Sequence, residues 1–380
     1  MKSRARARLT GLFIAVVTLI SSLLLAEGIF RGLGPRGPEF VLDATLGFYD
    51  PDLYVQDETL ITRLAPRAEV WIRNIEYETR VRTNALGLRG PAMDERVDKE
   101  VRVLAIGDSF TLGVQVEEQE SFLYHLEQGL EYELMRPVTV YNAGVDGYGT
   151  QQAVGWMERL LRDVDPDAVV LTFYLGNDLR DNARLPERLM QLAQGGPPVQ
   201  EIAPVDPAKL AFQSKLARHS RLYAWFLMHR ALRSLATDFR IQEYADEMRP
   251  FADASYLAEL LPATERTLLG FASTCNRWNL FCAVALAPPA YTVHSERTAS
   301  TFEAFDLDPS LVTIDEPARR VTEIMPDSLQ VVDLRPALVE EARFEPMYFT
   351  FDPHWTPQAH AIAGKTLAEA LAMPIERSVR

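Results

Sequence analysis

The sequence predicts an α/β protein: a flavodoxin-like three-layer α/β/α sandwich with about five parallel strands, a helical insertion and an N-terminal transmembrane helix. Three observations lead there. From Val101 onward, short apolar runs alternate with amphipathic helical stretches, a pattern that requires a parallel sheet covered by helices. The run Val101 to Ile106 ends on Gly107-Asp108-Ser109, so a serine hydroxyl is presented at the carboxyl edge of a strand, where open α/β sheets collect ligands. At the other end, Lys2, Arg4, Arg6 and Arg8 precede an apolar stretch from Leu9 to Ala26.

That first stretch would make roughly 27 Å of helix, close to the thickness of a bilayer core. The basic cluster should stay cytoplasmic, which sends everything after Glu27 outward, into the periplasm if the source is Gram-negative. A cleavable signal peptide is the rival reading. Leu24-Leu25-Ala26 is a poor small-x-small cleavage site and no cysteine follows for lipid attachment, which favours an uncleaved anchor over residues 1–30.

Residues 31–100 read as a stalk and a small β-rich pre-domain. Gly32 to Asp57 is rich in Gly, Pro and Asp without a sustained period, as in a linker. From Glu69 to Thr83, Val70 and Ile72, then Tyr77, Thr79 and Val81, alternate with charged residues, the pattern of a hairpin closed by a turn at Gly87 and Gly90.

Residues 101–375 form the predicted catalytic domain. Strands are expected at Val101 to Ile106, Val138 to Tyr141, Ala168 to Tyr174, Leu280 to Ala287 and Leu329 to Leu334. Helices are expected at Ser121 to Met135, Thr150 to Val164 and Pro357 to Leu371. Between them, at residues 180–265, an insertion breaks the alternation. Its core, Lys209 to Phe239, is strongly helical and carries Leu222, Tyr223, Trp225, Phe226, Leu227 and Met228. Such a stripe is ordinarily a packing face; the sharper alternative is a lid or acyl-recognition surface.

With 380 residues, 47% hydrophobic and 24% charged, the chain can bury a real core, and one catalytic domain with attachments accounts for its length. The formal charge of −14 repels polyanions and excludes nucleic acid as a partner. Cys275 and Cys282 would be free to pair in an exported compartment. Nothing in their spacing demands it, and two buried free thiols are the expectation.

An acyl-transfer serine needs a base, a group that orients the base, and donors for the oxyanion. Of the six histidines, His354 stands apart. In Phe351-Asp352-Pro353-His354-Trp355 an aspartate lies two residues away on a loop before the last helix, where one turn could bring its carboxylate to Nδ1. Trp355 could shield the pair from water. A metal site of Asp352, His354 and His360 competes with this reading, but no further ligands support it, and neither a metal nor a cofactor is expected. Two more loops follow strand ends: Asn142 to Thr150, with a glycine able to aim a backbone N–H, and Gly176-Asn177-Asp178, with an amide able to donate. Each alone also reads as a plain turn.

Together these segments resemble the SGNH, or GDSL-type, hydrolase superfamily over Val101 to Leu371, the insertion excepted. The resemblance implies Ser109 as nucleophile and His354 as base. It also implies the Ser109 and Gly147 N–H groups and the Asn177 side chain as oxyanion hole. The family's aspartate usually stands three residues before the histidine, at Phe351 here; Asp352 stands two before. The Asp-x-His-Trp block is similar to that of alginate-type polysaccharide O-acetyltransferases, which place it ahead of the serine, whereas this chain has the hydrolase order. The expected function is a membrane-anchored, extracytoplasmic serine esterase that removes an acyl group, such as acetyl, from a glycan or lipid. O-acyl transfer to an exported polysaccharide, or non-catalytic glycan binding in the envelope, are the alternatives.

Overall fold

In the computed structural model the described residues are 2–33, 51–73, 76–193, 216, 219–223, 226, 245–349 and 352–378. Among them the central sheet has five strands: β5 (Val101–Ile106), β6 (Val138–Asn142), β7 (Ala168–Tyr174), β8 (Phe281–Ala287) and β9 (Gln330–Asp333). All neighbours are parallel and the order is β6-β5-β7-β8-β9. Numbered within the sheet that is 2-1-3-4-5, the flavodoxin-like order, whose reversal beside the first strand opens a crevice at the strands' carboxyl edge.

The strands are apolar on both faces because helices cover both. One face turns Leu104 and Ile106 of β5, with Val169 and Leu171 of β7, towards α4 (Thr150–Val164) and α6 (Ala254–Trp278). Val101, Val103 and Ala105 face the other way, towards α3 (Phe122–Leu134) and the C-terminal helix α11 (Pro357–Ser378). The contact between α3 and α11 is close enough to need small residues: a Cβ on Gly364 would stand 2.4 Å from the Phe122 carbonyl oxygen. The one-turn α2 (Ser109–Leu112) follows β5, and α5 (Asp178–Ala193) follows β7. Between β8 and α11 the chain adds α7 (Ala290–Val293), α8 (Ser295–Ala304), α9 (Glu316–Glu323) and α10 (Arg335–Glu341).

Ahead of the sheet lie two antiparallel hairpins, β1 (Tyr54–Asp57) with β2 (Ile61–Leu64), and β3 (Glu69–Arg73) with β4 (Glu78–Arg82). The second matches the expected alternation. Val70, Ile72, Thr79 and Val81 are buried and Trp71 is exposed. The first occupies the end of the expected stalk. Leu53, Leu60 and Leu64 bury against the domain core there, and composition alone gives no sign of it. Residues 34–50 of the stalk lie outside the described residues.

Two expectations are corrected. The strand and helix alternation resumes earlier than residue 265: α6 begins at Ala254 and runs through Pro262 as the crossover helix before β8. Cys275 and Cys282 are a disulfide rather than free thiols. Asn279, in the left-handed conformation, ends α6 and folds the chain straight back into β8, which brings the two α-carbons to 6.2 Å, within bridging range.

The N-terminal helix α1 spans Lys2–Leu33. Among the described residues no helix is long and apolar enough to cross a membrane. The side chains of Leu9, Thr10 and Leu12, at the start of the expected span, lie outside the described residues. Those of Phe13, Ile14, Leu19, Leu24 and Leu25 are exposed. The insertion core Lys209 to Phe239 lies almost wholly outside the described residues; Phe226 within it is exposed.

Candidate active site

The carboxyl edge of the sheet gathers the residues singled out in the sequence. Ser109 is the first residue of α2. Asp108 caps that turn by accepting from the Phe110 N–H (2.9 Å), and Gly113 ends it in the left-handed conformation. As a first-turn residue Ser109 keeps its own N–H clear of intrahelical bonds. The Ser109 Oγ lies 2.7 Å from Nε2 of His354, and His354 Nδ1 lies 2.6 Å from Oδ1 of Asp352. Serine, imidazole and carboxylate thus form one hydrogen-bonded chain, between residues as far apart in sequence as 109 and 354.

The two-residue spacing is accommodated by a tight turn. Asp352 Oδ1 accepts from the His354 backbone N–H (2.9 Å) as well as from the ring, so the carboxylate holds both the turn and the imidazole. Asp352 is fully buried. Burial alone would push its carboxyl up, but the facing His354 charge and the hydrogen bonds from His354 and Tyr77 outweigh it and hold the group below its ordinary range. Aromatic side chains pack around the imidazole. Phe110 packs 5.0 Å from the His354 ring and, edge-on, 5.0 Å from the fully buried Trp355.

His360 sits elsewhere, under α3, where its Nδ1 accepts from the Phe122 N–H (3.1 Å). Among the described residues no group of three His, Cys, Asp or Glu side chains could hold a metal ion.

The two further loops rim the same edge. Gly147 is exposed, with open space on its α-carbon. Asn177 is half-buried at the start of α5, and its carboxamide oxygen is buried without a hydrogen-bond partner among the described residues. The loop carrying Gly147 is pinned to the nucleophile turn: Asn142 Nδ2 donates to the Thr111 carbonyl (2.9 Å), and the Val145 N–H donates to the Gly107 carbonyl (3.1 Å). Gly144 lies so close that a Cβ there would stand 2.3 Å from the Leu112 nitrogen.

Several contributors escaped the sequence reading. Arg89 is buried and donates to the carbonyls of Leu112 (2.7 Å), Gly113 and Val116 (2.6 Å), clamping the segment that follows Ser109. No local pattern marks it. Asp108, inside the quoted Gly-Asp-Ser, is buried, and that burial pushes its carboxyl up to about 7 against the pull of the Phe110 N–H and the His354 charge. From the hairpin, the Tyr77 hydroxyl donates to Asp352 Oδ2 (2.5 Å).

No family profile and no curated protein matches the sequence. Among solved structures, the chain is similar to a lipase from a goat rumen metagenome (12% identity, TM-score 0.40, covering 71% of this chain and 97% of that one). It is also similar to a putative lipolytic protein of the G-D-S-L family from Desulfitobacterium hafniense (11%, 0.36, 71% and 99%). A third is an acetylxylan esterase from Geobacillus stearothermophilus (13%, 0.39, 73% and 96%). Likeness at this level speaks to neither substrate nor activity in this chain.

Proposed function

We propose that this chain is a membrane-anchored, extracytoplasmic serine ester hydrolase of the SGNH type, which removes acyl groups from a glycan or lipid. The observation that carries the reading is the hydrogen-bonded chain from Ser109 Oγ through His354 to Asp352. Each link is at charge-relevant distance, and each group has the type its place requires.

In this mechanism His354 Nε2 takes the Ser109 proton as Oγ attacks the ester carbonyl carbon. Asp352 fixes the tautomer that leaves Nε2 free and stabilises the imidazolium formed. The Ser109 and Gly147 N–H groups and the Asn177 carboxamide receive the tetrahedral oxyanion, each such donor being typically worth about 2.7 to 4 kcal/mol. Protonated His354 then hands its proton to the departing alkoxide. Water, activated by the same imidazole, attacks the acyl-serine and releases the acid, restoring the free hydroxyl.

Two observations support the location. Phe13, Ile14, Leu19, Leu24 and Leu25 of α1 are exposed, an apolar surface that a bilayer could cover. The Cys275–Cys282 pairing is of the kind that forms and persists in oxidising compartments.

The test is hydrolysis of p-nitrophenyl acetate by the detergent-solubilised full chain, against Ser109→Ala. Loss of the nucleophile should lower kcat by at least about 10³-fold. Equal rates in the two proteins would end the serine mechanism. Release of acetate from an acetylated oligosaccharide, compared with fatty acid from an acylated lipid, then assigns the substrate class.

A further inference from the structure

The hairpin of β3 and β4 looks like an accessory ahead of the catalytic domain, yet it touches the reaction centre from two sides. On one side Thr79 Oγ1 donates to the Val114 carbonyl, and the Arg80 N–H donates to Glu117 Oε1 (3.0 Å), both on the segment leaving the Ser109 turn. On the other, its connecting turn delivers Glu76 and Tyr77 to the loop that carries Asp352 and His354. Glu76 Oε2 accepts from the Asp352 N–H (3.2 Å), and the Tyr77 hydroxyl donates to Asp352 Oδ2 (2.5 Å).

This second contact completes the coordination of the carboxylate. Oδ1 is already used twice by His354, once by the ring and once by the backbone. Oδ2 faces out of the tight turn, on a residue with no solvent exposure. A buried carboxylate oxygen left without a donor is costly and free to rotate toward one. Tyr77 supplies that donor from a fixed body. Its ring is buried in the hairpin core and packs 5.3 Å from Phe349, three residues before the carboxylate.

We propose that Tyr77 is a positioning residue of the active site: its hydroxyl, brought by the hairpin, locks the Asp352 carboxylate in the orientation that aligns His354 on Ser109. The pre-domain is therefore part of the catalytic apparatus. It offsets the short Asp-x-His spacing, which spends one carboxylate oxygen on holding its own turn. The proposal rests on the serine mechanism given above, in which Asp352 acts through His354.

The test is a double-mutant cycle on the full chain, with p-nitrophenyl acetate as substrate. Tyr77→Phe keeps the ring and removes the hydroxyl. It should lower kcat about tenfold with KM little changed, the loss expected for one charge-assisted hydrogen bond. In the Asp352→Ala background the same substitution should change kcat by less than about twofold, since the group it acts through is gone. A fold-loss equal in both backgrounds would show that Tyr77 acts through general stability and would overturn the proposal. So would a Tyr77→Phe enzyme with wild-type kcat. Should Tyr77→Phe fail to fold, Tyr77→His, whose ring is too short to reach Asp352 Oδ2, is read in the same two Asp352 backgrounds. A fall in kcat only where Asp352 is present supports positioning, and an equal fall in both backgrounds counts against it. Ser109→Ala separates the two ideas. If it is as active as wild type, the serine mechanism fails and the proposal with it; if it is inactive while Tyr77→Phe is unimpaired, only the proposal fails.

Discussion

Breaking the Cys275–Cys282 bridge should cost stability and leave catalysis intact. The bridge closes a short loop, with a sequence separation of 7. For a loop of roughly eight residues the loop-closure relation gives about 8 cal/mol/K, or about 2.5 kcal/mol at 25 °C. In a domain of this size that corresponds to a fall in Tm of about 5 °C. Cys275 ends α6 and Cys282 opens β8, at the amino edge of the sheet, whereas Ser109 stands beyond the carboxyl edge of β5. The seven residues of a strand such as β8 put about 20 Å between those edges. The assay is differential scanning calorimetry of wild type, of wild type in dithiothreitol, and of Cys275→Ala/Cys282→Ala, paired with kcat/KM at 25 °C. The reduced protein and the double variant should melt together, below the oxidised protein, with kcat/KM unchanged. An unaltered Tm in the double variant would refute the loop-closure account. A matching fall in kcat/KM at 25 °C would refute the separation of the bridge from the site.

Two further outcomes are expected. His360 is buried, and that burial, with the charges of Arg89, His354 and His125, pulls its imidazole down to about 3, so the folded protein holds it neutral. Below the ordinary histidine pKa of about 6.5 the unfolded chain takes up a proton that the folded one refuses, so stability falls as pH drops from about 6.5 towards 3, by roughly 2 to 3 kcal/mol at pH 4.5. Urea unfolding of wild type and His360→Asn at pH 7 and pH 4.5 measures this; an equal acid loss in both proteins would remove His360 as the cause. Gly144→Ala drives a Cβ against the Leu112 nitrogen and should part the Gly147 loop from the Ser109 turn. A fall in kcat of about 10²-fold is expected from such a displacement of about 1 Å, and wild-type turnover in a stably folded Gly144→Ala would show that the close approach has no catalytic consequence.

What could be read from the sequence follows the range of the interactions. The five parallel strands were legible because each is an apolar run bounded by turn residues, and α3, α4 and α11 because their apolar positions recur at helical spacing. Ser109, Asp352 and His354 drew attention as local patterns, a serine at a strand end and an acid two residues from a histidine. What the sequence hid is all long-range. Arg89 satisfies carbonyls more than twenty residues away, and Tyr77 meets an aspartate 275 residues downstream; neither leaves a local trace. The cysteine pairing was misjudged because it depends on how sharply Asn279 turns the chain, a backbone angle rather than a spacing. The start of α6 was missed in the reading because the insertion was carried to residue 265, although the helix begins at Ala254 and continues through Pro262.

The late place of His354 in the sequence sets the order in which the site can be assembled. His354 stands on the loop that feeds α11, the last of the described helices, and it meets a serine 245 residues upstream. A chain still being made can complete β5 and present Ser109, yet that serine meets no imidazole until His354 has been made. The Ser109–His354 contact therefore waits until synthesis has passed residue 354, and a chain cut short before it lacks that contact.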